Sequence, residues 1–152
     1  MLKYSDIAIG LQEIPGEVSL VINITNCLFR CKGCNAKQLW EDIGEPLSYE
    51  NLNMLLDSTL QDITCVIFMG GDIAPDEINE LASHIRANYP ALKIGWYSGG
   101  QTTTVFTEYK NFDYLKFGSF IKKLGPLTSP KTNQRLYKVQ KGILQDLTNL
   151  MW

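Results

Sequence analysis

The sequence predicts an α/β fold, an open and partial β/α barrel with a C-terminal β-hairpin. Three observations carry this expectation. Continuous apolar runs of strand length alternate with amphipathic helical segments, the pattern of a parallel sheet covered by helices. Three of the predicted strands end in loops rich in Gly, Ser, Asp or Cys, where ligands of such sheets bind. The chain has 152 residues, whereas a complete eight-unit barrel needs roughly 250. A single domain spanning 1–152 follows from that length.

The elements follow in order. Val18–Thr25 reads as a buried strand, apolar at Val18, Leu20, Val21, Ile22 and Ile24, and leads straight into a cysteine loop. Ser48 is placed to cap a helix over about 49–60, with Leu52, Leu55 and Leu56 on one face. Ile63–Phe68 is a second apolar strand, closed by Gly70-Gly71. Pro75 suits the first turn of a helix reaching about Asn88, striped by Ile78, Leu81, Ala82 and Ile85. Leu92–Tyr97 is a third strand, ending at Ser98-Gly99-Gly100. Asp113–Phe120 can supply a fourth. Arg135–Gln140 and Ile143–Thr148 flank Lys141-Gly142 and read as the hairpin. The three notable loops, 26–35, 70–73 and 98–100, are expected to converge on one site.

Composition narrows the class. Hydrophobic residues make up 45% and charged residues 20%, ordinary for a globular domain. The longest apolar runs, such as Val66–Met69, fall far short of the roughly 20 residues that cross a bilayer. The opening Met-Leu-Lys-Tyr-Ser-Asp lacks the layout of a secretory signal. The expected setting is the cytoplasm, with no membrane partner. Clustered cysteines there bind metal more often than they form disulfides.

Charge is unevenly spread. Residues 1–109 carry 6 Lys/Arg against 14 Asp/Glu, a balance of −8, while 110–141 carry 8 Lys/Arg against Asp113 alone, a balance of +7. This is either a solvated basic face or a docking surface for an acidic partner or a phosphate-bearing ligand. Nucleic acid is disfavoured by the net charge of −2 and by the lack of a nucleic-acid-binding motif.

The central feature is Cys27-Leu-Phe-Arg-Cys31-Lys-Gly-Cys34, a C-x3-C-x2-C run. Three thiolates from one short loop suit three irons of a cubane cluster, since soft sulfur favours such clusters. The fourth iron is then open to a small molecule, as a catalytic cluster requires. A structural zinc would need a fourth ligand. Cys65 sits inside an apolar strand and reads as core, and His84 reads as an ordinary surface residue on a helix. The expected cluster ligands are therefore Cys27, Cys31 and Cys34.

The cysteine run resembles that of the radical S-adenosylmethionine (SAM) superfamily, where it follows the first barrel strand. The resemblance implies a [4Fe–4S] cluster whose open iron is chelated by SAM. It also implies one-electron cleavage of SAM to methionine and a 5′-deoxyadenosyl radical that abstracts hydrogen. Met69-Gly70-Gly71-Asp72 is similar to the family's Gly-Gly-Glu/Asp motif, which holds the SAM amino group. By the same resemblance the Ser98 hydroxyl would meet the ribose or carboxylate of SAM. Gly33 stands where many members have an aromatic residue, and Asn35 departs from the aromatic or His common in the smallest activating enzymes. Backbone contacts from Gly33, Cys34 and Asn35 to the adenine remain in the expected set.

Size points to the substrate. A chain hardly larger than the radical-generating core leaves its barrel open, which suits a loop of another protein. Leu124–Tyr137, with Gly125-Pro126 and Asn133-Gln134-Arg135, is similar to the Gly-Pro…Asn-Gln-Arg segment of the anaerobic (class III) ribonucleotide reductase activating enzymes, and Trp40 also suits them. The similarity implies a glycyl radical made on the reductase, with a flavodoxin- or ferredoxin-type electron donor. No acid–base residue beyond the cluster ligands is implied, because the chemistry belongs to the cofactor. Two other readings stay open: a small radical SAM enzyme acting on a metabolite, like 7-carboxy-7-deazaguanine synthase, and a zinc-stabilised interaction module.

Overall fold

The computed structural model describes residues 1–26, 41–100 and 110–152. Cys27, Cys31, Gly33, Cys34, Asn35 and Trp40 lie outside the described residues. The strands are β1 (Lys3–Gly10), β2 (Ser19–Ile24), β3 (Glu45–Pro46), β4 (Cys65–Met69), β5 (Lys93–Tyr97), β6 (Tyr114–Phe117), β7 (Arg135–Gln140) and β8 (Ile143–Asp146). Among the described residues, helices α1 (Tyr49–Thr59) and α2 (Pro75–Asn88) join them, and a short 3-10 helix covers Thr148–Met151.

All eight strands form one open sheet in the order β3-β1-β2-β4-β5-β6-β7-β8. Its centre, β2-β4-β5-β6, is parallel. Its flanks are antiparallel, β1 and β3 on one side and β7 and β8 on the other. The predicted parallel core and terminal hairpin are thus present. Lys141 and Gly142 both take positive φ, 52° and 77°, as a two-residue turn matching the strand twist demands. β1 and β3 had no counterpart in the sequence reading. β1 alternates weakly and is half-exposed, and β3 has only two residues.

Local chemistry accounts for the helices. The Asn51 N–H donates to Ser48 Oγ at 3.1 Å, capping α1. Pro75 opens α2, with Asp76 and Glu77 in the first turn, where the helix dipole favours acids. Leu52 and Leu56 of α1 and Ile78, Leu81, Ala82 and Ile85 of α2 are buried. They pack with one face of the sheet, formed by Leu20, Ile22, Ile24, Val66, Phe68, Ile94, Trp96, Leu115 and Phe117.

The two-residue period of a strand sends the intervening side chains to the other face. There a smaller cluster of Val21, Cys65, Ile67 and Tyr114 is covered by Ile14 from the β1–β2 connection. This face also carries polar groups. The Tyr97 hydroxyl donates to the Glu13 carbonyl, and the Tyr114 hydroxyl donates to Glu17 Oε2 at 2.6 Å. Cys65 is fully buried, as expected of a core residue, and burial with the nearby Glu17 charge pushes its thiol up to about 12. His84 is more engaged than a surface histidine. Its ring stacks on Tyr49 at 4.5 Å and its Nε2 lies 2.8 Å from Asn53 Oδ1, which ties α2 to α1.

Candidate functional site

The four parallel strands all release their chain at the same edge of the sheet. β2 ends at Ile24, and Thr25 and Asn26 then turn the chain. Asn26 has φ 59°, the left-handed region that Asn tolerates better than most residues. Its N–H donates to the Glu41 carbonyl at 2.8 Å, and Thr25 Oγ1 donates to the Ile43 carbonyl at 2.6 Å. Thr25 and Asn26 are therefore pinned beside residues 41–43 at the end of β2.

Gly70 and Gly71, at φ 101° and 89°, turn the chain after β4. A Cβ on Gly70 would lie 3.2 Å from the Ile24 carbonyl oxygen, and one on Gly71 would lie 2.6 Å from Ile78 Cδ1. Both positions combine positive φ with crowding, so glycine is required by geometry. The Trp96 indole N–H donates to the Gly70 carbonyl at 2.7 Å, and the Gly70 N–H donates to the Tyr97 carbonyl at 3.0 Å. The turn is thus locked to β5.

The turn aims Asp72 at the loop after β5. The Ser98 hydroxyl donates to Asp72 Oδ1, and the Gly99 N–H donates to Oδ2 at 3.2 Å. Ser98 Oγ in turn accepts from the Gly100 N–H at 3.0 Å. Burial raises the Asp72 pKa, while the Ser98 hydroxyl, the Gly99 amide and the charge of Lys116 pull it back. The result is a desolvated carboxylate held by neutral donors, suited to an incoming cation. Of the sequence-predicted site residues, Gly70, Gly71, Asp72 and Ser98 are brought together. Gly33, Asn35 and the three cysteines lie outside the described residues, and β2 feeds the chain toward them beside this turn.

The sequence reading missed Lys116. It is one of the 8 Lys/Arg in the charge balance of 110–141, yet it is only 8% exposed. Its Nζ donates to the carbonyls of Ser98 (3.1 Å) and Gly118 (2.9 Å), and it stands 5.7 Å from the centre of the Tyr97 ring. A lysine in a four-residue strand whose other members are Tyr, Leu and Phe was the available signal. The basic stretch is further reduced by Arg135, which pairs with Asp146 at 3.8 Å. Asp113, its one acid, accepts from the Ile94 N–H (2.9 Å) and from Arg86 (3.1 Å), so it braces β5 and α2.

The Asn-Gln-Arg run also reaches the site indirectly. Asn133 Nδ2 donates to the Ser119 carbonyl at 3.1 Å, and Ser119 Oγ donates to the Gly99 carbonyl at 2.7 Å. Gly118, at φ 107°, passes so close to Gln134 that an added Cβ would lie 3.1 Å from its Cα. Residues 133–134 therefore buttress the turn that supports the Asp72 partner loop. Among the described residues, no group of three or more His, Cys, Asp or Glu could hold a metal ion. No helix among them is long and apolar enough to cross a membrane.

Comparison with known proteins agrees with the resemblance drawn from the cysteine run and from 124–137. The chain is 28% identical over 138 residues to the anaerobic ribonucleoside-triphosphate reductase-activating protein of Enterobacteria phage T4, covering 82% of this chain and 86% of that one. No solved structure matches it significantly. Residues 15–138 match the description of a 4Fe-4S single cluster domain, a stretch that holds the C-x3-C-x2-C run and every strand from β2 to β6. By that match, over well more than half of its length, the chain belongs to the 4Fe-4S single cluster domain family.

Proposed function

We propose that the chain is a radical SAM activating enzyme that makes a glycyl radical on an anaerobic ribonucleotide reductase. The observation that carries the reading is the partly buried Asp72 carboxylate, held by Ser98 and Gly99 beside the end of β2. The relative from phage T4, named as an activating protein of the anaerobic reductase, supports the choice of partner. On this reading the open sheet is the partial barrel of the superfamily, with helices on its outer face and Asn23, Met69, Tyr97 and Lys116 in register along the carboxyl edge of the inner one.

The donor set fits the implied group. Cys27, Cys31 and Cys34 would hold three irons of a [4Fe–4S] cluster, and no fourth thiol is offered, because Cys65 is buried at the opposite end of β4. A cluster held there and reduced by a flavodoxin- or ferredoxin-type donor would supply the one electron needed for cleavage of SAM. The chain's own residues bind and orient. Asp72 accepts the methionine ammonium of SAM. Gly70 and Gly71 make the turn that presents Asp72, since a Cβ at either would meet Ile24 or Ile78. By the resemblance, the backbone of Gly33, Cys34 and Asn35 would meet the adenine. Lys116 keeps the 98–100 and 118–119 turns together by donating to a carbonyl of each.

The protein substrate is proposed to dock against the turns after β6. Lys122 and Lys123 are exposed on a tight turn closed by the Gly125 N–H to Ile121 carbonyl bond, 3.0 Å. That turn packs on Ser129, two residues before exposed Lys131. These charges stand at the same edge of the sheet as Asp72, where an acidic segment of a partner would meet them.

Anaerobic reconstitution with iron and sulfide, then addition of SAM and dithionite, tests the activity. The expected result is a brown protein that releases methionine and 5′-deoxyadenosine. A colourless protein that retains zinc after the same treatment would refute the reading.

A further inference from the structure

Ser98 is fully buried, with 0% of its surface exposed. Its hydroxyl proton is directed at Asp72 Oδ1, and its oxygen accepts from the Gly100 N–H. A side chain with no exposed surface and its donor committed is poorly placed to touch a ligand. We infer that Ser98 is a positioning residue: it orients the Asp72 carboxylate for an ammonium and makes no contact with the ribose or the carboxylate of SAM. This deepens the SAM reading above and rests on it.

The chemistry favours this division. A carboxylate taken out of water needs donors on its remaining lone pairs, or it protonates or swings away. Two neutral donors, the Ser98 hydroxyl and the Gly99 amide, each engage one oxygen and leave both oxygens with further acceptor capacity. They carry no charge themselves, so the two oxygens are oriented without an ion pair being formed; the charge of Lys116 acts on Asp72 from the carbonyls of Ser98 and Gly118 that hold it. Lys116 contributes to the same frame by holding the Ser98 carbonyl. A ligand-facing serine would instead turn its hydroxyl outward and strip Asp72 of one of its two fixing bonds.

The test compares three ligands on reconstituted wild type and Ser98→Ala by equilibrium binding. SAM carries ammonium, carboxylate and ribose. Decarboxylated SAM keeps the ammonium and ribose, and 5′-methylthioadenosine keeps the ribose but lacks both amino-acid groups. If Ser98 acts through Asp72, the variant weakens SAM and decarboxylated SAM alike, by about tenfold, and binds 5′-methylthioadenosine as wild type does. In an Asp72→Asn background the same serine change should then cost little more. Loss confined to SAM would mean a carboxylate contact, and equal loss of all three a ribose contact; either overturns the inference. Wild type that binds none of the three would instead refute the SAM reading itself. A structure of SAM-bound wild type answers without a variant: Ser98 Oγ must stay on Asp72, and a hydrogen bond to the ligand would overturn the proposal.

Discussion

The two ends of β4 bury an ionisable group for opposite purposes. At its first residue, Cys65 lies under Ile14 with no exposed surface, and burial beside Glu17 pushes the thiol up to about 12. Just past its last residue, Asp72 is also largely buried, yet the Ser98 hydroxyl and the Gly99 amide meet its two oxygens. At Cys65 desolvation outweighs the hydrogen bonds from Ser19 and the Val66 backbone and silences the thiol; at Asp72 donors at fixed positions aim both oxygens. The same five-residue strand therefore offers inert packing at one end and a candidate ligand contact at the other.

The sharpest way to break that contrast is to exchange cysteines for alanine one at a time. Cys27→Ala, Cys31→Ala and Cys34→Ala should each abolish the intact cluster and SAM cleavage, while Cys65→Ala should retain both, read by iron content and product release. A cluster lost only in Cys65→Ala would invert the assignment. The thiol of Cys65 should also resist alkylation in the native protein near neutral pH, because its raised pKa leaves almost no thiolate.

Asp72→Ala should weaken SAM about ten- to a hundredfold without loss of cluster, as removal of a charge-assisted hydrogen bond implies. The contrast also has a pH form. The Asp72 pKa is raised chiefly by burial, and only its ionised form attracts the ammonium. Affinity should therefore begin to fall, as pH drops, above the range where an ordinary carboxylate protonates. Because the folded pKa lies above the unfolded one, protonation of Asp72 over that window favours the folded state. Weaker binding there is thus not a sign of unfolding. Asp72→Asn should flatten the profile.

How much of this was legible in the sequence depended on which force shaped each residue. The central strands and helices α1 and α2 were readable, because Val66–Phe68 is buried on both faces of the sheet and the 78, 81, 82, 85 stripe is buried against one of them. Asp72 and Ser98 were readable as site residues because their loops follow apolar strands. Their mutual bond was not, since it spans 26 residues and depends on the register of β4 with β5. Lys116 was not singled out for a related reason: within the basic stretch its charge looks like any other, but strand alternation and pairing with Tyr97 turn it inward. β1 stayed hidden because it is half-exposed and its apolar residues do not alternate cleanly.

Smaller effects sharpen the account. Reversing charge at Lys122, Lys123 and Lys131 should slow association with the reductase about tenfold at low salt and much less at high salt, leaving partner-free SAM cleavage unchanged. A rate insensitive to both the reversals and salt would leave those turns as plain surface. Trp96→Phe removes the indole bond to the Gly70 carbonyl while keeping most of the buried ring. It should cost about 1 kcal/mol of stability, read by denaturant unfolding, and weaken SAM only severalfold.

The central claim is that the carboxyl edge of this sheet makes a radical on another protein. The most direct measurement is an anaerobic incubation of the reconstituted chain with SAM, a reductant and the candidate anaerobic reductase, followed by electron paramagnetic resonance. The account predicts a stable glycyl radical on the reductase, absent without SAM and absent with Cys31→Ala. A cluster-loaded protein that cleaves SAM but leaves the reductase without a radical would contradict it.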